Sequence, residues 1–237
     1  EKAVRLPLMK RLLILLIVLA AAGGWWFATS EPPKPIPAHI QKLKADAQAG
    51  DVRAEYGLGR VYQLGDGLPK NLGMAIPLLK KAANKGHSGA QLALGRLHEA
   101  GEGVTQNMGR AMEWYRLAAN LGRLADARFA MGQMHFHGRG VPRDYPLAFE
   151  WYQKAAAQGH PVAQHLLGAM YEEGWATDRD VIEAYKWYTL AIPEKKQALA
   201  GNSIYDPERA RAKLAKKMNN YQIDRGEKRA RQWRRKP

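Results

Sequence analysis

The amino-acid sequence predicts an all-α fold: a right-handed α/α solenoid of four helical hairpins with an N-terminal membrane helix and a C-terminal helical cap. Two observations support the solenoid. The segment 127–159 recurs three more times at a spacing of 36 or 37 residues, and a repeat of this length is typical of stacked structural units. Each unit has apolar residues at helical spacing in both halves, which a glycine-containing loop divides. One hairpin cannot bury its own apolar face, so the hairpins must stack.

Equivalent positions in the four units define the ends and the packing of each helix. A glycine recurs inside each first helix, where it costs about 1 kcal/mol relative to alanine, so the neighbouring helix is expected to lie too close for a side chain. These glycines are Gly59, Gly95, Gly132 and Gly168. Short polar residues before the second helices predict N-caps, and they are Asn71, Asn107, Asp144 and Asp180. Glycines after the second helices predict helix ends with positive φ, and they are Gly86, Gly122 and Gly159.

Three of the second helices share a tryptophan-tyrosine pair. The pairs are Trp114–Tyr115, Trp151–Tyr152 and Trp187–Tyr188. Together with the glycine loops, these residues resemble the Sel-one-like repeat family, a branch of the tetratricopeptide-like helical solenoids, over four units within about residues 51–195. The resemblance implies a scaffold that binds proteins, usually without chemistry of its own. His98 and His135 stand where the family usually has tyrosine, so we expect both to be half-buried packing residues.

The region before the repeats divides into a basic flank (1–11), an uncharged apolar run (12–28), a proline-rich linker (29–37) and an N-capping helix (38–50). The apolar run is at the lower limit for a spanning helix. A retained anchor would place Trp25 and Trp26 at the membrane interface, whereas a cleaved signal peptide would use the small residues at 20–22. The basic flank predicts a single-pass protein of the bacterial inner membrane, with a cytoplasmic N-terminus and periplasmic repeats. The alternative is secretion to the periplasm after signal cleavage.

After the repeats (51–195), residues 196–237 are predicted to form capping helices with a basic tail. Residues 194–206 are interpreted as a loop, and a helix is expected to begin at Pro207 with Asp206 as its cap. The formal net charge is +15, and residues 205–237 hold twelve Lys and Arg against four Asp and Glu. This tail could bind an anionic lipid or polymer, or form a solvated helix face, which its interleaved acidic residues favour. A nucleic-acid partner is not expected, because the repeats themselves are not an extended basic surface.

A helical wheel of the first helices separates a core face from a face that we expect to line the concave side and bind a partner protein. Its candidate partner-binding residues are Tyr56, Arg60, Leu92, Arg96, Arg128, Phe129, Gln133, Phe136 and His165. Aromatic residues and arginines are enriched at interface hot spots. Tyr56, Leu92 and Phe129 share one repeat position and have a second interpretation, in which they wedge between neighbouring helices. Phe136 stands where the other repeats have Gln or Glu, so it is the stronger functional candidate.

Composition and motifs argue against catalysis. The chain has no cysteine, and none of its three serines lies in a catalytic motif. The glycine loops lie between helices rather than after a strand, so they are not phosphate loops, and the histidines lack metal-ligand spacing. The sequence therefore predicts no enzyme, cofactor or metal site. It predicts a membrane-anchored or secreted periplasmic adaptor that binds a protein partner, within an envelope assembly.

Overall fold

The computed structural model describes residues 35–235, so the predicted basic flank (1–11) and the predicted anchor or signal peptide (12–28) lie outside the described residues. The described part of the chain contains twelve helices and no strand. The helices are α1 (Ala38–Gln48), α2 (Val52–Leu64), α3 (Leu72–Asn84), α4 (Ser88–Ala100), α5 (Met108–Asn120), α6 (Ala125–His137), α7 (Tyr145–Ala157), α8 (Pro161–Glu173), α9 (Val181–Ala191), α10 (Lys195–Gly201), α11 (Pro207–Ala215) and α12 (Asn220–Gln232). The prediction of an all-α fold is confirmed.

Consecutive helices pack as hairpins, and consecutive hairpins pack on one another. The hairpins are α2 with α3, α4 with α5, α6 with α7 and α8 with α9. The second helix of each hairpin also contacts the first helix of the next, which is the packing of a solenoid. Helix α1 covers the first hairpin, where Ile40 is fully buried. Helices α11 and α12 pack on α9, and α10 lies against α8.

The four predicted N-caps of the second helices are confirmed. Asn71, for example, accepts a hydrogen bond from the Met74 backbone N–H at 3.0 Å. Asn107, Asp144 and Asp180 do the same for α5, α7 and α9. Each cap satisfies a backbone donor that the first turn of a helix leaves free.

The predicted helix ends are confirmed at Gly86 and Gly159, whose φ angles are +88° and +82°. The expectation for Gly122 is wrong, because the left-handed residue there is Arg123, with φ of +49°. This repeat carries one inserted residue between its second helix and the next hairpin, and the insertion moves the turn one position along the chain.

Glycines inside the first helices allow close contact with the second helices, as predicted. A Cβ at Gly132 would lie 2.5 Å from the ring of Tyr152, far inside van der Waals contact. The same holds for Gly95 against Tyr115 (2.4 Å), Gly168 against Tyr188 (2.6 Å) and Gly59 against Leu79 (2.9 Å). The bulky residue of the second helix therefore fills the space that a side chain on the first helix would need.

The interpretation of residues 194–206 as a loop is wrong in its first half, which forms α10. The residues KKQALA at 195–200 are all good helix formers, and Ala198 is fully buried. The helix predicted at Pro207 is confirmed, and Asp206 caps it by accepting from the Arg209 N–H at 3.1 Å. None of the helices within residues 35–235 is long and apolar enough to cross a membrane.

We expect Gly132→Ala to lower the free energy of unfolding by about 1–3 kcal/mol, because the added methyl group overpacks the contact with Tyr152. Denaturant unfolding followed by circular dichroism measures the change. Gly109→Ala is the matched control, since its Cβ would meet only the Asn107 side chain at 3.4 Å. A Gly132→Ala protein as stable as the control would contradict the packing argument.

Candidate binding groove

The first helices of repeats two to four line an open groove of about 330 Å³. Helices α4, α6 and α8 form its floor, and the loop between α10 and α11 closes it on one side. Its lining combines polar, aromatic and small apolar side chains. The residues that matter most below are Arg96, Glu99, Phe129, Gln133, Arg139 and Tyr205.

Three predicted partner-binding residues line this groove: Arg96, Phe129 and Gln133. Arg96 Nη2 lies 3.1 Å from Asp126 Oδ2 on the next first helix, and 56% of the Arg96 side chain is exposed. Gln133 Oε1 lies 2.9 Å from His137 Nε2, one turn further along α6. The groove therefore presents both donors and acceptors to solvent.

Phe129 and Tyr56 each stack on the histidine that begins the next first helix. The ring centroids are 4.3 Å apart for Tyr56 and His87, and 4.4 Å apart for Phe129 and His160. Both aromatic side chains are half-buried. This arrangement agrees with the second interpretation of the position, in which its residues wedge between neighbouring hairpins.

His160 and His87 act as N-caps, which the sequence analysis did not predict. Each accepts a hydrogen bond at Nδ1 from the backbone N–H three residues later, at 3.2 Å. A ring nitrogen can accept only when it carries no proton. Burial lowers the pKa of His160 to about 4, although Asp126, 3.8 Å from Nε2, opposes the shift. The neutral ring that the cap requires is thus the form present at pH 7.

Side chains four positions before the helix glycines do not lie on the open face, contrary to the helical-wheel expectation. In repeats two to four they donate to carbonyls near the end of the preceding second helix, where the regular helical hydrogen bonding stops. The bonds run from Gln91 Nε2 to Ala83 O (3.2 Å), from Arg128 Nε to Ala119 O (3.3 Å) and from Gln164 Nε2 to Ala156 O (3.2 Å). Arg128, a predicted partner contact, therefore joins two hairpins. A wheel describes one helix and carries no information on the helix beside it.

Leu92 and His165 were also predicted as partner contacts, and both side chains are buried, with 8% of each residue exposed. The Tyr205 ring covers His165, with the ring centroids 5.7 Å apart. Burial lowers the pKa of His165 to about 4. The structure therefore places packing contacts at both positions.

The remaining two candidates lie outside the groove lining. Arg60 on α2 donates from Nη1 to Gln63 Oε1 at 2.8 Å. Phe136 lies at the C-terminal end of α6, one turn beyond Gln133, and is half-buried. Phe136 therefore continues the face of α6 that forms the groove.

A hydrogen bond between the two helices of a hairpin recurs in repeats two and four. It runs from Tyr115 Oη to Glu99 Oε2 (2.6 Å) and from Tyr188 Oη to Glu172 Oε2 (3.1 Å). Repeat three has Phe136 in place of the glutamate, and the fully buried hydroxyl of Tyr152 has no hydrogen-bond partner. Burial raises the pKa of Tyr152 far above its ordinary value, so this hydroxyl keeps its proton.

Three of the groove residues singled out above were not among the predicted contacts: Glu99, Arg139 and Tyr205. Arg139 Nη1 lies 2.9 Å from Glu99 Oε1 and joins repeats two and three. Its signal was present, because the equivalent loop residues in repeats one and two are Asp66 and Glu102, so the charge reverses at this position. Tyr205 lies outside the repeats in a stretch without periodicity, and no sequence signal pointed to it.

The C-terminal helices use part of their positive charge to bind repeat four. Arg229 Nη1 lies 2.7 Å from Glu183 Oε1 and 3.5 Å from Asp180 Oδ2. Lys217 Nζ lies 3.4 Å from Glu172 Oε1. The cationic side chain of each pair is at least one third exposed, so solvent screening keeps each contribution to about 0–1 kcal/mol. The pairs nevertheless account for Arg229 and Lys217 without a polyanionic ligand.

The groove presents paired charges and aromatic rings to a ligand. Its arginines pair with carboxylates, and its aromatic rings stack or pack. In the part of the chain that the structure describes, no group of three or more His, Asp or Glu side chains could hold a metal ion. The arrangement is suited to recognition of another polypeptide.

A family model for the Sel1 repeat matches four stretches of the chain, at residues 52–87, 88–122, 125–160 and 161–192. The chain belongs to the Sel1 repeat family. Sel1 repeat proteins generally mediate protein–protein interactions and are typically not enzymes, as the sequence resemblance implied. No curated protein gives a comparable match.

Two solved structures show the same fold. One is a protective antigen of uropathogenic Escherichia coli with an SLR fold, which is 34% identical over 65% of this chain, with a TM-score of 0.63. The other is a Sel1 repeat protein from Oxalobacter formigenes, which is 32% identical over 61% of this chain, with a TM-score of 0.57. The match spans 33% of the first protein's chain and 57% of the second's.

We expect Tyr188→Phe to lower the free energy of unfolding by about 1–3 kcal/mol, because it leaves Glu172 without its buried donor. Tyr152→Phe is the matched comparison, and we expect it to be neutral or stabilising, since the lost hydroxyl has no partner. Equilibrium unfolding in urea measures both variants. Equal destabilisation of the two would contradict the assignment of these hydrogen bonds.

Proposed function

We propose that this protein is a membrane-anchored adaptor of the bacterial envelope, and that it binds a partner protein in the groove of its first helices. The groove itself is the observation that carries the proposal. Its lining combines Arg96 and Arg139 with Phe129 and Tyr205, and aromatic residues and arginines dominate the binding energy of protein interfaces. The general role of Sel1 repeats in protein–protein interaction supports the same conclusion.

The shape of the groove favours an extended segment of the partner. Helices α4, α6 and α8 contribute side chains to its lining one after another, so three hairpins in line form one track. A strand-like peptide alternates its side chains between two faces, and a groove of about 330 Å³ accommodates a few side chains of one face.

The cellular location is part of the proposal. Basic residues precede the apolar run 12–28, and such a flank favours a cytoplasmic N-terminus with the repeats on the far side of the inner membrane. The similarity to a protective antigen of Escherichia coli supports a bacterial setting. The second possibility is a periplasmic protein released by cleavage near residues 20–22, with the same right-handed array of hairpins.

A photo-crosslinking residue tests the groove. We expect benzoylphenylalanine in place of Gln133 to capture a specific partner in living cells, because Gln133 lies on the floor of the groove. The same residue in place of Glu150, which is exposed on the second helix α7, is the control and should capture little. Immunoblotting measures the two yields, and equal capture at both positions would refute the groove as the binding surface.

Fractionation tests the anchor. We expect the full chain to stay in the membrane pellet after alkaline carbonate washing, and a variant that starts at residue 29 behind a cleavable signal peptide to become soluble. Immunoblots of pellet and supernatant give the distribution. If the protein expressed from the full sequence is instead recovered in the soluble periplasmic fraction and has been cleaved at residues 20–22, the segment 12–28 is a signal peptide and not an anchor.

A further inference from the structure

The third repeat departs from the hydrogen-bonding rule of its neighbours at Phe136. Repeats two and four have a glutamate at this position, which accepts from the tyrosine 16 residues later. Phe136 instead packs against Tyr152, with the ring centroids 6.2 Å apart. The buried hydroxyl of Tyr152 is left without a partner, which is unfavourable for folding. Local arrangements that lower the stability of the fold are expected at functional sites.

Phe136 belongs to an aromatic cluster that is open to solvent. Its ring centroid lies 5.2 Å from that of Tyr145 and 6.1 Å from that of Trp175. Tyr145 is 39% exposed and Trp175 is 47% exposed. We name Phe136, Tyr145 and Trp175 the aromatic cluster. Exposed aromatic side chains grouped in this way mark interaction sites.

Trp175 occupies an equivalent loop position to Arg139, one repeat further along the chain. Arg139 contacts Glu99 of the preceding repeat, and Trp175 contacts Phe136 of its own preceding repeat. The contact between neighbouring repeats thus changes from an ion pair to an aromatic pair. Both residues of the aromatic pair differ from the rest of the array, which gives the cluster two independent departures from the repeat pattern.

Both signs of charge lie beside the aromatic cluster. The loop between α6 and α7 contains two arginines and Asp144, which caps α7, and acidic residues also lie within three positions of Trp175. The Arg143 guanidinium lies 5.8 Å from the centroid of the Tyr145 ring and donates to its hydroxyl at 3.3 Å. Arg143 has no carboxylate within ion-pair distance among residues 35–235. A carboxylate from a partner would meet a guanidinium there that has no ion-pair partner.

We propose that the aromatic cluster is the anchor site for a peptide segment of the partner, which lays one large apolar side chain on the exposed rings of Tyr145 and Trp175 and places an adjacent carboxylate on Arg143. The inference rests on the proposed function, and it names the chemistry of the partner and the end of the groove that recognises it. Gln133, on the groove floor, is one helical turn from Phe136, so a single extended segment reaches both.

A peptide fits these observations better than a single-stranded nucleic acid, which also binds to aromatic and basic surfaces. Nucleic acids require a positively charged path that follows the backbone over several nucleotides. The equivalent loop residues of the first two repeats are Asp66 and Glu102, so the positive charge does not continue along this edge.

The variant Phe136→Glu separates binding from folding. It restores the glutamate of repeats two and four, and its carboxylate can accept from Tyr152, so we expect the unfolding temperature to be no lower than that of the wild type. The variant removes the apolar anchor site and adds a negative charge. Trp175→Ala is a second variant at an exposed side chain, and Tyr221→Ala, which is 66% exposed on α12, is the aromatic control.

The test pans a phage-displayed library of random twelve-residue peptides on the detergent-solubilised full chain and measures the selected peptides by fluorescence polarisation. We expect selected sequences in which an Asp or Glu accompanies Leu, Phe or Trp. Their affinity should fall about tenfold or more in Phe136→Glu and Trp175→Ala, as for hot-spot residues, and remain unchanged in Tyr221→Ala.

The inference would be overturned if the selected peptides lacked acidic residues, or if they bound Phe136→Glu with the affinity they have for the wild type. It would also be overturned if a fluorescein-labelled dT12 oligonucleotide bound the protein and Trp175→Ala abolished that binding.

The crosslinking at Gln133 distinguishes this inference from the proposed function. If Gln133 still captures its partner in the Phe136→Glu background, the groove stands and the aromatic anchor falls. If Gln133 captures nothing in the wild type, the proposed function itself fails.

Discussion

The fold depends on one contact that recurs in every hairpin: a large side chain of the second helix lies directly on a glycine of the first. In repeats two to four that side chain is a tyrosine, at Tyr115, Tyr152 and Tyr188. The missing Cβ brings the two helices close enough to bury the ring, and the ring in turn fixes the separation of the helices. Burial of such a ring removes 150–250 Å² of mostly apolar surface from water in each repeat. Without cysteines to cross-link the hairpins, this packing carries the array.

The same contact explains why much of the fold could be predicted from the sequence. Glycine, tyrosine and the N-cap residues act within one hairpin, so their spacing repeats whenever the hairpin repeats. Features that depend on a neighbour outside the hairpin were harder to find. The short helix α10 and the turn at Arg123 have no counterpart in the other units, and periodicity carries no information about a feature that occurs once.

The predictions for the candidate site succeeded or failed for the same reason. Arg96, Phe129 and Gln133 line the groove as the helical wheel predicted, because a wheel orders the residues of one helix correctly. Arg128 and His165 were misjudged because their surroundings are set by other segments, a carbonyl of α5 for Arg128 and the ring of Tyr205 for His165. Phe136 stood out because the other repeats have Gln or Glu at its position. Such a comparison between repeats needs no knowledge of which helices pack against α6.

Tyr205 has a geometric consequence for whatever lies in the groove. An array of identical hairpins is translationally repetitive, and a long ligand could slide along it by one unit at a time. The loop before α11 obstructs this movement, because it occupies the surface of repeat four above His165. The groove is therefore bounded at repeat four, and a ligand bound there as proposed would acquire a fixed register by abutting Tyr205.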